Sequence, residues 1–363
     1  MPLTLFNLRR LFKNIFILIN ILVAVCLLFS YTAVFINPAK FWIPAFFGLV
    51  YPYIVLVNIL FVLYWFVFNA KYSLISILAI LVGFGFLGNY VQFEGEKAPK
   101  EGIRVCSYNV KYFVADGVSP KMATVEKVVQ YLEDGKFDII CLQEANITSQ
   151  SFRMDAIKTK LGNINRMQVV RSSRTGGPVT YTRYPVAGTG EIQYENTGNM
   201  IVFADLIIHK DTFRIYNCHL QSNRLKPHEL NTIDSLRYTN KPKNYDKVKK
   251  VGSKLKQAFI KRAEQARILD GHIRNCPYPV IVCGDFNDTP VSYSYRKVRG
   301  DLKDAFVESG HGIGNTYNGR LPSFRIDYIL HNPVFESYGF ETGREKLSDH
   351  FPVHCVLTLK NNQ

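Results

Sequence analysis

The sequence predicts an α/β domain, with strands gathered into sheets and helices over them, set behind membrane-spanning helices. Three observations carry that prediction. No Asp or Glu occurs before Glu94 in the 363-residue chain. Beyond that point, apolar runs of strand length are interspersed with stretches of helical spacing. Carboxylate, amide and imidazole side chains recur where those runs end, as they do at a sheet rim that carries a site.

The first ninety residues read as membrane. Residues 14–36, 41–68 and 72–93 are apolar runs, each meeting the roughly 20 residues that a spanning helix needs. Three transmembrane helices are therefore expected in an anchor of residues 1–93, the second with Pro44 and Pro52 in its first half. A cleaved signal peptide is the alternative for the first run, but that run is long and further runs follow it. Cations flank the runs unevenly. Arg9, Arg10 and Lys13 precede the first, Lys71 separates the second and third, and Lys40 alone lies between the first and second. That bias places the N-terminus in the cytoplasm, and three crossings put the rest of the chain on the outer side.

Residues 94–102 are polar, contain Pro and Gly, and read as a linker to a domain of residues 103–360. Strands are expected at 103–110, 137–145, 280–283, 325–332 and 351–359. Residues 178–193 read as strand, turn and strand, and 200–222 as a hairpin turning at Lys210 and Asp211. One helix is expected at 122–135, where Val125, Val128, Val129 and Leu132 share a face and Gly135 stops it. A long helix is expected at 248–275. Sheets covered by interspersed helices are the α/β solution for such a pattern.

Cys106, Cys141, Cys218, Cys276, Cys283 and Cys355 form no Cys-x-x-Cys pair and no zinc spacing, and read as small buried hydrophobes. Free thiols fit a reducing compartment, which runs mildly against an outer-side domain. Only five of the 44 Lys and Arg, and none of the 29 acids, precede Glu94, so the remainder carries a net +10. That suits an anionic substrate or surface. The Lys-rich insertion at 223–250 reads either as a solvated segment or as a basic flap over an anionic substrate or lipid headgroups.

The strand ends hold the chemistry. Asn109 follows "VCSY", Glu144 follows "IICLQ", and His219 follows "IYNC". Asp285 and Asn287 follow "VIVCG", Asp327 lies within "RIDYIL", and Asp349 and His350 precede "FPVHCVL". Singly, each has a dull explanation as a turn former, cap or satisfied core group. Together they form a compatible set. Asn109, Glu144 and Asp349 offer hard oxygen donors without a thiolate, which favours Mg²⁺ or Mn²⁺ over zinc. Asp285 can orient or deprotonate a water, and the Asn287 amide can steady it or a phosphoryl oxygen. Asp327 can fix the tautomer of His350, and His219 can donate to a phosphate oxygen. Neither a serine nucleophile elbow nor a P-loop is present.

"SYNV", "LQE", "NCHLQS", "GDFND", "RIDYIL" and "SDHFPV" stand in the order found in the endonuclease/exonuclease/phosphatase superfamily, which the chain resembles over roughly residues 101–360. The resemblance implies a four-layer sandwich, two mixed sheets face to face with helices outside. It implies that Asn109, Glu144 and Asp349 stand at the metal, with Glu144 the direct ligand. It gives His219 to a phosphate oxygen, Asp285 and Asn287 to the nucleophilic water and the transition state, and Asp327 to the orientation of His350 at the scissile phosphate.

Departures bear on the substrate. The Trp-rich and Cys-Asp-Arg motifs of inositol polyphosphate 5-phosphatases are missing, as is the Trp-containing loop of abasic-site enzymes. A membrane anchor resembles that of the neutral sphingomyelinases. The expectation is a membrane-anchored Mg²⁺-dependent phosphoesterase acting on nucleic acid or on a lipid headgroup. A non-catalytic binding module on a tether is a remote alternative.

Overall fold

The computed structural model describes residues 5–99, 101–114, 122–145, 166–168, 177–195, 197–223, 225, 229, 243–319 and 324–360. Most of the Lys-rich insertion at 223–250 lies outside the described residues.

The N-terminal part is a helical bundle of α1 (Leu5–Tyr31), α2 (Ile43–Leu49), α3 (Tyr51–Phe68), α4 (Ser73–Val82) and α5 (Phe84–Leu87). The expected second span is therefore two helices. Pro44 and Pro52 each sit in the first turn of their helix, where a missing N–H costs nothing, and the chain turns between them at Val50. The expected third span is corrected more severely. Its regular helix ends at Val82, Gly83 interrupts it, and only one short turn of helix follows. Two helical segments, Leu8–Val34 and Tyr51–Phe68, are long and apolar enough to cross a membrane. Ala70–Val82 is shorter.

Polar side chains set the bundle's register. Ser76 Oγ donates to Asn20 Oδ1 at 2.6 Å, Asn20 Nδ2 donates to the Tyr72 carbonyl at 3.3 Å, and Asn58 Nδ2 donates to the Val23 carbonyl at 3.3 Å. Tyr31, at the end of α1, donates to the Ala79 carbonyl at 3.0 Å. So α1 and α4 run in the same direction and α3 runs against them. Asn20, Asn58 and Ser76 are fully buried, whereas Leu22, Phe66 and Val67 are exposed. The bundle thus buries these polar groups beside an apolar core of Leu27, Tyr51 and Val55, and its outer surface is apolar too.

The remainder is a sandwich of two six-stranded mixed sheets. Its strands in chain order are β2 (Ile103–Asn109), β3 (Ile139–Ala145), β4 (Arg166–Gln168), β5 (Gly177–Thr182), β6 (Val186–Gln193), β7 (Met200–Ile208), β8 (Asp211–His219), β9 (Val280–Asp285), β10 (Lys303–Asp304), β12 (Asp327–His331), β13 (Phe335–Thr342) and β14 (Val353–Leu359). One sheet has the order β13-β14-β2-β3-β5-β4 and the other β10-β12-β9-β8-β7-β6. Strands β1 (Val91–Gln92) and β11 (Gly312–Ile313) form a separate pair that ties the end of the bundle to the sandwich. The expected strand-turn-strand at 178–193 divides between the two sheets. The β7–β8 hairpin turns at His209 and Lys210, one residue earlier than expected, with Ile208 opposite Asp211.

Alternation explains the layers. Ile103, Val105, Ile215, Ile281, Cys283 and Ile329 meet between the sheets. Cys106, Tyr108, Ile140 and Leu142 face outward, where Val125, Val128, Val129 and Leu132 of the helix Met122–Asp134 cover them. On the other outer face, the long helix Lys243–Arg274 and the short helix Tyr293–Arg299 cover Tyr216, Cys218, Val282 and Tyr328. The four-layer expectation holds. Cys106, Cys141, Cys218, Cys283 and Cys355 are buried free thiols, as expected, and Cys276 is half-buried.

The bundle is packed onto the sandwich. Phe46 meets Phe259 edge-on at 5.0 Å, the Asn89 carbonyl accepts from Arg325 Nη1 at 3.0 Å, and the Gly48 carbonyl accepts from Thr289 Oγ1 at 3.3 Å. A Cβ at Gly48 would stand 2.2 Å from the Val291 carbonyl oxygen, so a glycine is needed for this contact. The expected linker is pinned at Glu96, whose carbonyl accepts from the Gly339 N–H at 2.7 Å.

Gly284 has φ +141°, and a Cβ there would lie 2.0 Å from the Cys218 carbonyl oxygen of the neighbouring strand. Gly284→Ala is expected to cost more than ~3 kcal/mol of stability. Gly252→Ala, on the long helix with nothing within 4 Å, is expected to add up to about 1 kcal/mol. Denaturant unfolding of the full chain measures both, and equal midpoints would contradict the close approach at Gly284.

Candidate active site

The strand faces that meet between the sheets become polar at one rim. Along β2 the inward positions are Ile103, Val105, Ser107 and Asn109. Along β8 they end in Ile215, Asn217 and His219, and along β9 in Ile281, Cys283 and Asp285. Strand β12 runs the other way, so its first residue, Asp327, lies opposite Asp285. Strand β14 is antiparallel to β2, with Val353 opposite Ser107, so Asp349 and His350 arrive at the same rim. Just beneath, Gln143 Nε2 donates to Asn217 Oδ1 at 2.8 Å and to Ser107 Oγ at 3.2 Å. Asn217 Nδ2 donates to the Leu142 and Val179 carbonyls at 3.1 and 3.0 Å. These bonds join the two sheets directly under the site.

Glu144 breaks the alternation. Strict period two would send it outward with Ile140 and Leu142. A register shift between Leu142 and Ala145, with Glu144 at φ +51°, turns it to the rim, where its Oε1 lies 3.3 Å from His219 Nε2. A bulge that re-aims a side chain beside a site is a recurrent device, and a left-handed Glu is strained.

Asp285 is the centre of the network. Its Oδ2 accepts from Asn109 Nδ2 and from Asn287 Nδ2, each at 2.9 Å, and its Oδ1 accepts from the Asn287 backbone N–H at 2.7 Å. Asn287 adopts φ +53°, which brings both of its donors back onto Asp285. The orientation of Asn109 is set by its other end, because Oδ1 accepts from the Lys111 N–H at 3.0 Å. Its amide nitrogen therefore faces Asp285 and also Glu144 at 3.5 Å. Asn109 thus holds two carboxylates and does not present its oxygen to the centre of the rim. His350 Nδ1 meets the Asp327 carboxylate at 3.0 and 3.1 Å, which leaves Nε2 facing Asp285 Oδ2 at 3.7 Å.

The protonation states follow from burial and charge. Burial pushes His350 down, but Asp327 and Asp285 overcome it and raise it to about 10. Burial raises Asp285 above the usual carboxylate range, although His350 draws it down. Burial also pushes Glu144 up, but the imidazole of His219, then His350 and Asn109, bring it to about 2. His219, pushed down by burial, is raised by the Glu144 carboxylate. So His350 carries a proton across the neutral range and Glu144 does not.

All eight residues expected from sequence lie at this rim, with Asp349 at its edge. Several others there were not foreseen. Lys111 Nζ pairs with Asp349 Oδ2 at 2.6 Å. Lys111, Tyr112 and Phe113 have φ of 42°, 51° and 60°, a strained turn that begins two residues after Asn109. Thr316 Oγ1 accepts from the Ile326 and Asp327 N–H groups at 3.0 and 3.1 Å, which places Asp327. Ser348 Oγ donates to the Asn109 carbonyl at 2.8 Å, and the Tyr317 ring lies edge-on to His350 at 5.4 Å. Lys111 was within reach of sequence reasoning, as a cation two residues past Asn109. Thr316 carried no signal.

The donor set fits a hard divalent cation. Four carboxylates, Glu144, Asp285, Asp327 and Asp349, crowd one rim against His219, His350 and Lys111. Carboxylate oxygens are the donors such an ion takes. Ligand atoms of Asp285, Asp327 and His350 lie within 4.8 Å of one another. His350 Nδ1 is bonded to Asp327, which leaves Nε2 as the imidazole atom turned towards Asp285.

Residues 106–350 match the endonuclease/exonuclease/phosphatase family, and residues 13–90 match a domain of unknown function (DUF8431). No curated protein matches the chain. Similar solved structures include the endonuclease/exonuclease/phosphatase from Bacteroides vulgatus, at 18% identity and TM-score 0.52, covering 72% of this chain and 100% of that one. D. rerio TDP2 complexed with single strand DNA product has 16% identity and TM-score 0.52, covering 71% and 100%. A humanized D. rerio TDP2 has 14% identity and TM-score 0.52, covering 70% and 98%. At these identities the likeness is one of fold.

Asp327→Asn removes the charge that holds the proton on His350. The His350 pKa, about 10 in the native chain, is expected to fall towards the ordinary imidazole range, and turnover to fall by roughly 10²–10⁴. NMR titration of the imidazole reads the first and steady-state kinetics the second. An unchanged His350 titration would contradict the pairing.

Proposed function

The chain belongs to the endonuclease/exonuclease/phosphatase family, and from that premise we propose that it is a membrane-anchored, divalent-metal-dependent phosphoesterase. Hydrolysis proceeds by direct attack of an activated water on phosphorus. The observation that carries this reading is the Asp285 carboxylate, fixed by three N–H bonds with protonated His350 opposite at 3.7 Å.

Asp285 accepts the hydrogen bond of the water and takes its proton as attack proceeds. The raised Asp285 pKa suits a base working near neutrality. Asn287 keeps Asp285 oriented, and because its Nδ2 also donates to the Leu220 carbonyl at 3.1 Å, it is the amide oxygen that it offers to the water. His350, charged and held by Asp327, donates to a phosphoryl oxygen as negative charge builds, and His219 Nε2, which faces Glu144 in the free site, would turn its N–H to a second one once Glu144 holds the cation. Glu144 and Asp349 would hold the cation, Mg²⁺ or Mn²⁺, with Asn109 fixing Glu144 from beside it. When bound, the cation polarises the phosphoryl oxygen and offsets developing charge. Each residue role in this scheme is part of the proposal.

The membrane reading is supported by the bundle's apolar outer surface. The two long segments are only 28% and 22% buried, unlike the core helix of a soluble protein. α1 also packs on α3 and α4 through Asn20 and Asn58, unlike a segment destined for removal. Lys13 and Lys71 flank Tyr72 at the far end of the bundle, with ammonium groups 6.0 and 5.0 Å from the ring centre. With that end in the cytoplasm, and with Ala70–Val82 and the short helix after it completing a third crossing, the catalytic domain lies on the outer side.

A membrane-adjacent phosphoester, such as a phospholipid headgroup, is favoured as substrate. The bundle touches the chain on both sides of the site. It reaches Thr289 just after Asn287, and Tyr53 lies edge-on to Phe324 at 6.3 Å, three residues before Asp327. Nucleic acid is the second reading, favoured by the net +10 beyond Glu94.

The full chain, assayed on DNA, RNA, sphingomyelin and phosphoinositides with Mg²⁺, Mn²⁺ or chelator, is expected to hydrolyse lipid only with metal. Glu144→Ala should lower that rate by roughly 10²–10³. Turnover that survives both the chelator and Glu144→Ala would overturn the metal-dependent reading, and nuclease activity alone would move the substrate to nucleic acid. A reporter fused after Gln363 should be active only on the outer side, and cytoplasmic activity would reverse the orientation.

A further inference from the structure

A cavity of about 450 Å³ lies in the seam between the bundle and the short helix Tyr293–Arg299. Its two walls differ in kind. Val34, Phe35 and Phe86 form an apolar wall on the bundle side. On the sandwich side stand Arg274, Arg296, Lys297 and Arg299, with Asp301 among them. Asp270 engages two of the cations, Arg274 at 2.8 Å and Lys297 at 2.7 Å. Arg296 and Arg299 have no carboxylate partner among the described residues. The Arg296 guanidinium lies 4.5 Å from the centre of the Phe35 ring, and Arg299 Nε donates to the Leu302 carbonyl at 3.4 Å.

The cavity also sits at a defined level of the bundle. At the end that meets the sandwich stand Trp42, its ring centre 5.0 Å from the Lys256 ammonium group, and Tyr53, which is exposed. Trp and Tyr take that position at a bilayer surface. On the membrane reading given above, from which this inference starts, the cavity therefore opens where headgroups lie.

We propose that it seats the phosphate of an anionic phospholipid. Arg296 and Arg299 would grip the phosphate, and the acyl chains would run down the bundle beside Phe35 and Phe86. A guanidinium fork pairs with phosphate through two bonds, and roughly 300–1,000 Å³ is usual for a small-ligand site. A soluble phosphate would satisfy the arginines but leave the apolar wall unused. Asp285, Asn287, Asp327 and His350 do not line the cavity, so it is separate from the active rim. Pro290, three residues after Asn287, does line it. A bound lipid would brace the segment that leaves the water-placing pair.

The test reconstitutes the full chain into nanodiscs of phosphatidylcholine with a minor fraction of phosphatidylglycerol and reads retained lipid by native mass spectrometry. The wild type is expected to retain phosphatidylglycerol preferentially. Arg296→Gln with Arg299→Gln should weaken that preference about fivefold per arginine, while Arg296→Lys with Arg299→Lys keeps most of it. Equal retention of the two lipids by the wild type, or an unchanged preference in the Gln variant, would overturn the site. Displacement of the lipid by inorganic phosphate alone would assign the cavity to a free anion and overturn the lipid. Carbonate washing of the cell membranes in which the full chain is expressed separates the two levels of failure. A chain that washes off ends the membrane reading and this site together, whereas one that stays but shows no preference ends this site alone.

Discussion

Asp285 is a carboxylate with 1% exposure placed where two sheets meet, and much of the surrounding structure serves to keep it there. A buried charge needs donors, or it takes up a proton. Three N–H groups, from Asn109 and Asn287, supply them, and holding Asp285 among them makes three demands on the fold. Asn287 must turn left-handed to return both of its donors. Asn109 must have its oxygen occupied by the Lys111 N–H so that its nitrogen faces inward. Gly284 must lack a side chain so that β9 can press against Cys218 on β8. Below, Gln143 and Asn217 bond one sheet to the other, so the two halves of the site cannot slide apart without breaking buried hydrogen bonds.

How much of this could be read from the sequence depended on which rule positions the residue. Asn109, His219, Asp285 and Asp327 continue the period-two inner face of their own strands, so an apolar run that ends in a polar group points straight to the rim. Glu144 was found from its motif, but strict alternation would have sent it to the outer face, and the bulge that corrects it leaves no mark in composition. Thr316 and Ser348 act through backbone groups, and hydroxyls that do so are too common in loops to stand out. In the bundle, hydropathy found the apolar segments and overstated their continuity. Pro44, Pro52 and Gly83 break the regular helix, and a count of apolar residues does not see the break.

The seam between bundle and sandwich was invisible in the sequence, because it joins residues far apart in the chain. Gly48 meets Val291 and Thr289, Phe46 meets Phe259, and Asn89 meets Arg325. Arg325 is itself fully buried, paired with Asp304 and stacked near Phe306 and Tyr328. A buried guanidinium with a carboxylate and a backbone carbonyl as partners is a demanding arrangement. It places the end of the bundle two residues from Asp327. The bundle forms part of the wall that supports two segments of the site.

The central claim is that water, placed by Asp285, attacks phosphorus directly. A single turnover of the full chain on its phosphoester substrate in water labelled with heavy oxygen tests it most directly, with mass spectrometry of both products and of the intact protein. The account predicts one label in the phosphate product, none in the alcohol, and no phosphorylated protein during the turnover. Label in the alcohol, or a phosphoryl group carried on the chain, would contradict it.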